Sequence, residues 1–579
     1  MFATNSTNII KKLVFVLVFL NFLICRPISL IAQFGDDESQ MAIEMEKKLQ
    51  EREPTPAEIV IEQIVKEEEK LPSLPGERIF IKRINVKGVT FISQEEVREI
   101  TKPYENKELS LKQMQEIADQ ISNLYYKEGY PTSRAFVPIQ EFDKEELELK
   151  VREGFVGEIT IEGNKHFKED FIRERIGLKE ADPFNGHILR KYIHKLNKHP
   201  DRKIKVIVKP GQKPGFTDIV LKVKDRLPIH LIYEFNNYNS PSTEYRRYRL
   251  VGMHNNFTGH DDSLIFYDYR RGPSRDQDIA IMYYTLPIGE RLKFDFYGLV
   301  KEEHYCGKKR LFLMEKRSYK TWFLLHYHFI EEEKTDLSAA LGFIYKDVNM
   351  FVMREYMCRE RVRAVYSHFN FDTTDDYGRT IISSDMEISI PDIWQGLRHD
   401  IDERACMPGM TGNWVYNRIY IARRQKLFGD LQLLLKPQFE ISTDVLPGAN
   451  RFSIGGVHGI SDNRGYPRAE LLGDSGCSVN AGLLFPPYII PKNWNVPFTE
   501  TKWHKALQLF AIYDYGYVWV RKPRNNEARR ANLKSAGCGF RFKINDFSIR
   551  YDIGWPLGAP PSDNKRKHNW VQVMYDFHF

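Results

Sequence analysis

Ile512-Tyr513-Asp514-Tyr515-Gly516-Tyr517-Val518-Trp519 is the stretch whose reading decides the fold. Taken as a strand, it puts Tyr513, Tyr515, Tyr517 and Trp519 on one face and Asp514 and Gly516 on the other. Aromatic side chains outward and a carboxylate inward describe a strand in the wall of a membrane barrel. The alternation recurs downstream, where Phe547, Ile549, Tyr551, Ile553 and Trp555 interleave with Ser548, Arg550, Asp552 and Gly554. It recurs again at the end, with Val571, Val573, Tyr575, Phe577 and Phe579 against Gln572, Met574, Asp576 and His578. From about Leu227 onward the chain keeps this aromatic-rich texture.

About fifty residues before Asp514 lies an irregular loop, residues 455–476, in which six of 22 residues are glycine. Glycine tolerates backbone angles that strain other residues. Within Asn463-Arg464-Gly465-Tyr466 the cation is Arg464, whose planar fork suits a carboxylate through two parallel bonds. Asp514 is its candidate partner.

Gly455-Gly456, Arg464-Gly465-Tyr466, Gly473-Asp474-Ser475-Gly476 and the Asp514-x-Gly516 strand together resemble the Omp85 superfamily. Within it, the chain is most similar to the hemolysin-activator-type transporters of two-partner secretion. Asn463 stands where Val is usual, and Ile512 where Phe is usual; neither belongs to the ion pair itself. The resemblance implies a transmembrane β-barrel of about 16 antiparallel strands preceded by two α+β POTRA domains. It also implies that the loop folds back into the lumen, anchored by Arg464, Gly465 and Tyr466 on Asp514 and Gly516. Phe577 and Phe579 match the aromatic C-terminal signal of outer-membrane barrels. Leu286-Pro287-Ile288-Gly289 and Asn256-Phe257-Thr258-Gly259 add weaker likeness in the early strands. Residues 228–579 number 352, about 22 per strand and turn at sixteen strands.

Composition hides such a fold. A mean hydropathy of −0.47 with 28% charged residues looks soluble, because a barrel's lipid face is averaged with its polar face. The net charge of +7, from 85 basic and 78 acidic residues, is too balanced to argue for nucleic acid. Lys11-Lys12 and the apolar run 13–25, with cleavage expected after Ala32, describe a signal peptide over 1–32. Ile24 is too bulky for the lipoprotein alternative at Cys25. No other long apolar run exists, so a helical membrane protein is excluded. Five cysteines remain after cleavage (Cys306, Cys358, Cys406, Cys477 and Cys538), an odd number that leaves at least one unpaired within a monomer.

Residues 33–76 are charged and interrupted by Pro54 and Pro56. Met41, Met45 and Leu49 recur at helical spacing, and Ile61, Ile64 and Val65 start a second stripe. From the residues alone this is a solvated, partly helical linker; the resemblance implies a pore-plugging helix and linker. An internal repeat follows. Ile84-Asn85-Val86-Lys87-Gly88 recurs as Ile159-Thr160-Ile161-Glu162-Gly163, and Lys150-Val151-Arg152-Glu153 as Lys222-Val223-Lys224-Asp225. Helical patterns at 95–100 and 111–126, then at 168–176 and 188–197, make each copy β-α-α-β-β. The expected domains are POTRA 1 at 77–153, POTRA 2 at 154–226 and the barrel at 227–579. The run 129–135, with Pro138 and Gln140, is similar to the first POTRA of the secretion family, which makes Tyr130, Arg134 and Gln140 candidate substrate contacts.

No catalytic constellation emerges. Gly473-Asp474-Ser475-Gly476 lacks the following glycine and the His motif of a serine protease, so Ser475 is structural. His326 and His328 share one face of a strand and could begin a zinc site, but without further ligands they form a polar lumen pair. There is no phosphate-binding GxxxxGK loop and no HExxH. No metal, cofactor or nucleic acid is expected. The resemblance implies an outer-membrane protein with POTRA domains in the periplasm. It exports an unfolded secreted partner, which the POTRA domains bind, and it is expected to be a monomer. Outer-membrane lipid, periplasmic chaperones and the barrel-assembly machinery are the other implied partners. The alternatives are a barrel-assembly factor, which usually carries more repeats, and a porin or receptor, whose periplasmic turns are short.

Overall fold

A computed structural model describes residues 59–61, 78–141, 145–238, 246–271, 277–306, 313–457, 462–523 and 527–578. The signal peptide, most of the plug and linker segment, and Phe579 lie outside the described residues. The chain divides into two compact units, one of them spanning 55–227 and the other holding residues 228–579.

In the first unit, both copies of the repeat form sheets backed by helices. The first copy runs Arg83–Lys87, helix Gln94–Thr101, helix Leu111–Lys127, Arg134–Phe136 and Glu146–Arg152. The second runs Phe155–Glu162, Glu169–Arg173, Gly186–Asn197, Arg202–Pro210 and Phe216–Asp225. Both helices of the first copy start at capping boxes, Ser93 with Glu96 and Ser110 with Gln113, which satisfy orphan amides at each N-terminus. Met114, Ile117, Ile121 and Tyr125 recur at helical spacing and are fully buried against the sheet.

The matching acidic ends of the repeats do the same job in each copy. Glu153 accepts from the amides of Thr90 (2.6 Å) and Phe91 (2.8 Å), from the Thr90 hydroxyl, and from the Tyr125 hydroxyl at 2.7 Å. Asp225 accepts from the amides of Lys165 (2.9 Å), His166 (2.8 Å) and Phe167 (3.2 Å). Each closes the turn after the Gly that ends the first strand, Gly88 or Gly163, both in the left-handed region at φ 85° and 86°. Burial alone would raise the Glu153 pKa, but the donors from Thr90, Tyr125 and Phe91 outweigh it and hold the carboxyl below its ordinary value.

Of the linker's second helical stripe, Ile64 and Val65 lie outside the described residues, and Ile61 is corrected by the structure. Ile59–Ile61 is a strand, paired parallel with Val206–Val208 on the edge of the second sheet. Three consecutive β-branched residues favour extended backbone, and an open sheet edge supplies the hydrogen bonds a lone helical turn would lack.

The second unit is a closed antiparallel barrel of sixteen strands in sequential order. The first strand, Ile229–Asn236, pairs with the last, His568–His578, from His230 opposite His578 to Asn236 opposite Gln572, so no edge is left in lipid. Outward alternation is explicit: Tyr513, Trp555, Tyr575 and Phe577 are 40–45% exposed, while Asp514 and Asp552 are fully buried inside the wall. A small two-stranded element, Phe452–Ile454 with Leu471–Gly473, brackets the loop around Arg464 and is not part of the wall.

Candidate functional site: the Arg464 lock

Asp514 lies on the inward face of Leu507–Trp519, whose neighbours are Ser475–Phe485 and Arg530–Ile544. The loop brings Arg464 against this wall. Its Nη1 donates to Asp514 Oδ1 at 2.6 Å, and its backbone amide donates to Asp514 Oδ2 at 3.1 Å. The expected pair is present, with one difference: the second donor to Asp514 is the amide, not the other arm of the fork. Nε instead donates to Asp552 at 3.0 Å, and Nη2 to Asp462 at 2.7 Å. One guanidinium therefore holds three carboxylates, and all four side chains are 4% exposed or less.

Burial on this scale requires neutralisation. Arg550 donates to Asp552 at 2.7 Å, and Lys436 Nζ lies 3.6 Å from Asp462, so three cations meet three carboxylates. Asn480 adds bonds to Asp514 (2.8 Å) and to the Asp462 carbonyl (2.6 Å), and the Ser535 hydroxyl reaches Asp514 at 3.3 Å. The Trp570 indole donates to the Arg464 carbonyl at 2.9 Å. The lock thus draws on consecutive wall strands from Gln432–Ser442 to His568–His578.

The glycines explain how the backbone comes so close. A Cβ on Gly465 would stand 2.6 Å from Pro556 N and 2.7 Å from Trp555 C, and one on Gly554 would stand 2.3 Å from the Arg464 carbonyl. Gly516 makes room for Ile454, whose atoms would lie 3.0 Å from its Cβ. Tyr466, 1% exposed, packs with Phe452, Ile454, Val518 and Leu533, and its hydroxyl donates to Ala559 O at 3.0 Å.

Arg464, Gly465, Tyr466, Asp514 and Gly516 are therefore brought together. Asp462, Asn480, Arg550, Asp552, Gly554 and Trp570 join them without having been singled out. A signal for two of these was available: Tyr551-Asp552-Ile553-Gly554 repeats the Asp-x-Gly pattern of Tyr513-Asp514-Tyr515-Gly516 one hairpin later. Asn463 is fully buried, and among the described residues its side-chain amide has no hydrogen-bond partner.

The other candidates separate. Asp474 accepts from the amides of Leu446 (3.0 Å) and Arg521 (2.8 Å), and the Ser475 hydroxyl accepts from the Ser442 amide at 3.0 Å. Both tie the loop's exit to neighbouring strands. His326 pairs with Asp295 at 2.8 Å and His328 with Asp336 at 3.5 Å. Ligand atoms of His328, Glu331 and Asp336 lie within 4.8 Å of one another, yet side chains clustered at a turn assign no metal by themselves. Cys358 and Cys406 form a disulfide, and Cys477 and Cys538 are free thiols.

In the repeats, Tyr130 packs on Phe91 (5.1 Å between rings), and Phe91 in turn contacts Phe155 of the second copy at 5.3 Å. Ser133 accepts from Gly154 N at 3.0 Å, and Gly129 O accepts from Gly186 N at 2.8 Å. The run 129–133 therefore builds the joint between the copies. Gln140 clamps the edge of Glu146–Arg152 through both the carbonyl and the amide of Glu148, at 2.8 Å each. Of the three candidate contacts, Arg134 is the exposed one.

A sixteen-stranded barrel with a lumenal Arg lock and tandem α+β repeats defines the class: an outer-membrane β-barrel transporter of the Omp85 superfamily with POTRA domains. The profile of the haemolysin secretion/activation protein ShlB/FhaC/HecB family matches residues 215–542, and the chain belongs to that family. A ShlB-type POTRA profile matches 79–154, and a second POTRA profile, the surface antigen variable number repeat, matches 155–225. The chain is 24% identical over 509 residues to the outer membrane transporter CdiB of Dickeya dadantii, covering 84% of both. It is 24% identical over 500 residues to the heme/hemopexin transporter protein HuxB of Haemophilus influenzae, covering 83% of this chain and 84% of that one. Its fold matches CdiB from Escherichia coli with a TM-score of 0.69 at 16% identity, over 95% of this chain and all of the other. BamA from Haemophilus ducreyi matches at 0.53 with 12% identity, over 86% of this chain and all of that one.

Proposed function

We propose that this protein is the outer-membrane pore for one secreted partner protein, which the tandem repeats bind in the periplasm and which crosses the barrel unfolded. The observation that carries the reading is the Arg464 lock: a loop pinned inside a closed barrel by one guanidinium and three carboxylates is a gate element, and a passive pore has no need of it. Membership of a secretion-channel family, in place of an enzyme family, supports transport over bond chemistry. With no nucleotide site recognised in the sequence, folding of the cargo outside would supply direction.

Deleting residues 78–153 tests the receptor role. Export of the secreted partner is expected to stop while the barrel remains in the outer membrane with heat-modifiable mobility. Continued export by the deletion variant would reject the receptor. Loss of other outer-membrane barrels in cells lacking this chain would instead favour the barrel-assembly alternative.

A further inference from the structure

The barrel carries a second charged feature on its outer surface. In Glu355–Asp375, a strand of 21 residues, successive odd-numbered side chains face outward: Phe369 is 42% exposed, and above it the row continues through Ser367 and Val365 to Arg363, Arg361 and Arg359. Cross-strand partners share a face. Register across three strands therefore aligns Phe323, Phe343 and Val365 in one outward row, Thr321, Tyr345 and Arg363 in the next, then Tyr319, Asp347 and Arg361, then Arg317, Asn349 and Arg359. The rows change from wholly apolar to arginine-bearing within one step. A 21-residue strand runs about 70 Å, or about 50 Å along the normal at a 45° tilt, whereas the apolar band of such barrels is about 25 Å tall. The arginine end of the strand, joined to its neighbour by the turn at Met353 and Arg354, is thus the end that emerges from the bilayer.

The arginines there differ in how firmly they are held. Arg363 is buried, with Nη1 2.7 Å from Asp347 Oδ1 and its plane 3.4 Å from the Tyr345 ring centroid. Arg361 reaches the same Asp347 through Nε at 3.5 Å and donates from Nη1 to the Gln395 side-chain carbonyl, which leaves Nη2 for a ligand. The Arg359 guanidinium makes no hydrogen bond or ion pair among the described residues; Arg361 and Arg404 stand near enough to repel it, and Asp402 attracts it from beyond ion-pair distance. Arg404 is already held by Asp402 at 2.9 Å. Beside this row the short helix Ile393–Gln395 places Trp394, 67% exposed, edge-on to outward Phe343 at 5.4 Å. Amphipathic aromatics at this level belong to the polar–apolar interface of a membrane.

We propose that Arg359 and Arg361, with Trp394 at their side, form an outward-facing site for the phosphorylated sugar headgroup of the outer-leaflet glycolipid. The proposal rests on the outer-membrane reading. Two guanidiniums two residues apart on one strand face stand about 7 Å apart at their Cα atoms, a spacing that lets both forks reach one phosphate. A protein partner would also require a shaped apolar surface, but what flanks the row is the lipid belt itself. The site would fix the height and rotation of the barrel in the outer leaflet.

The test uses the full chain in detergent, with folding verified by heat-modifiable mobility. Wild type and the Arg359→Ala/Arg361→Ala variant are mixed with bisphosphorylated lipid A, with lipid A stripped of phosphate, and with excess inorganic phosphate as competitor. Bound lipid is read by native mass spectrometry. Wild type is expected to retain bisphosphorylated lipid A roughly tenfold better than the variant does, and inorganic phosphate is expected not to displace it. Arg359→Gln alone, which breaks no hydrogen bond or ion pair among the described residues, should show most of the loss even if the double variant misfolds. Equal retention by wild type and Arg359→Gln, equal binding of dephosphorylated lipid, or displacement by inorganic phosphate each overturns the assignment. Failure here with secretion intact would leave the proposed export function standing.

Discussion

Arg464→Ala and Asp514→Ala are expected to differ, and the geometry says by how much. Removing one partner of a buried ion pair costs about 3–5 kcal/mol, because the other charge stays buried and uncompensated. Arg464→Ala leaves Asp462, Asp514 and Asp552 with only Arg550 and Lys436 as cations, so it should cost the full amount. Asp514→Ala leaves Arg464 bound to Asp462 at 2.7 Å and Asp552 at 3.0 Å, and its cost should fall to about 1–3 kcal/mol. The charge exchange Arg464→Asp with Asp514→Arg should not rescue, since the new carboxylate would stand beside Asp462 and Asp552. Arg464→Lys should rescue only in part: one ammonium cannot span three carboxylates. The assay is trypsin cleavage of the loop after Arg468 on intact cells, alongside export and heat-modifiable mobility. Cleavage should rise in the order wild type, Asp514→Ala, Arg464→Ala, with assembly retained. Equal cleavage in the two single variants, or restored protection in the exchange, would refute the three-carboxylate account.

Further outcomes follow from neighbouring contacts. Gly465→Ala should release the loop without altering any charge, because the new methyl meets backbone atoms that cannot move aside. Gly516→Ala, meeting only the Ile454 side chain, should release it less, as loop cleavage would report. Asn463→Val should tighten the loop by about 1–3 kcal/mol by removing a buried amide without partners, read as slower cleavage. Glu153 has a folded pKa below its ordinary 4.5, so its stabilisation is present above that value and is lost as pH falls through the folded one. Protection factors for hydrogen exchange at Thr90 and Phe91 should fall below pH 4.5 in wild type, and in Glu153→Gln they should be low already at neutral pH. Replacing Cys358 and Cys406 by Ser opens a loop of 48 residues, worth about 4 kcal/mol on chain-entropy grounds, and should expose residues 390–414 to protease.

The period of two along Ile512–Trp519 and its counterparts is local, and it was enough for the barrel and for the inward placing of Asp514. The repeated strand ends at Gly88 and Gly163, with Glu153 and Asp225, were equally legible, because each copy must close the same turn. The Gly-rich loop and its Arg464 were legible too, through their likeness to a known superfamily. What stayed hidden depends on strands distant in sequence meeting. Asp552 lies 88 residues from Arg464 and Asn480 lies 34 from Asp514, and only the closed register turns them toward one point. The pairing of Cys358 with Cys406 among five cysteines, the edge strand Ile59–Ile61, and the use of residues 129–133 as a joint are likewise products of assembly. Alternation says which face a side chain takes; register and closure, summed over sixteen strands, decide what it meets there.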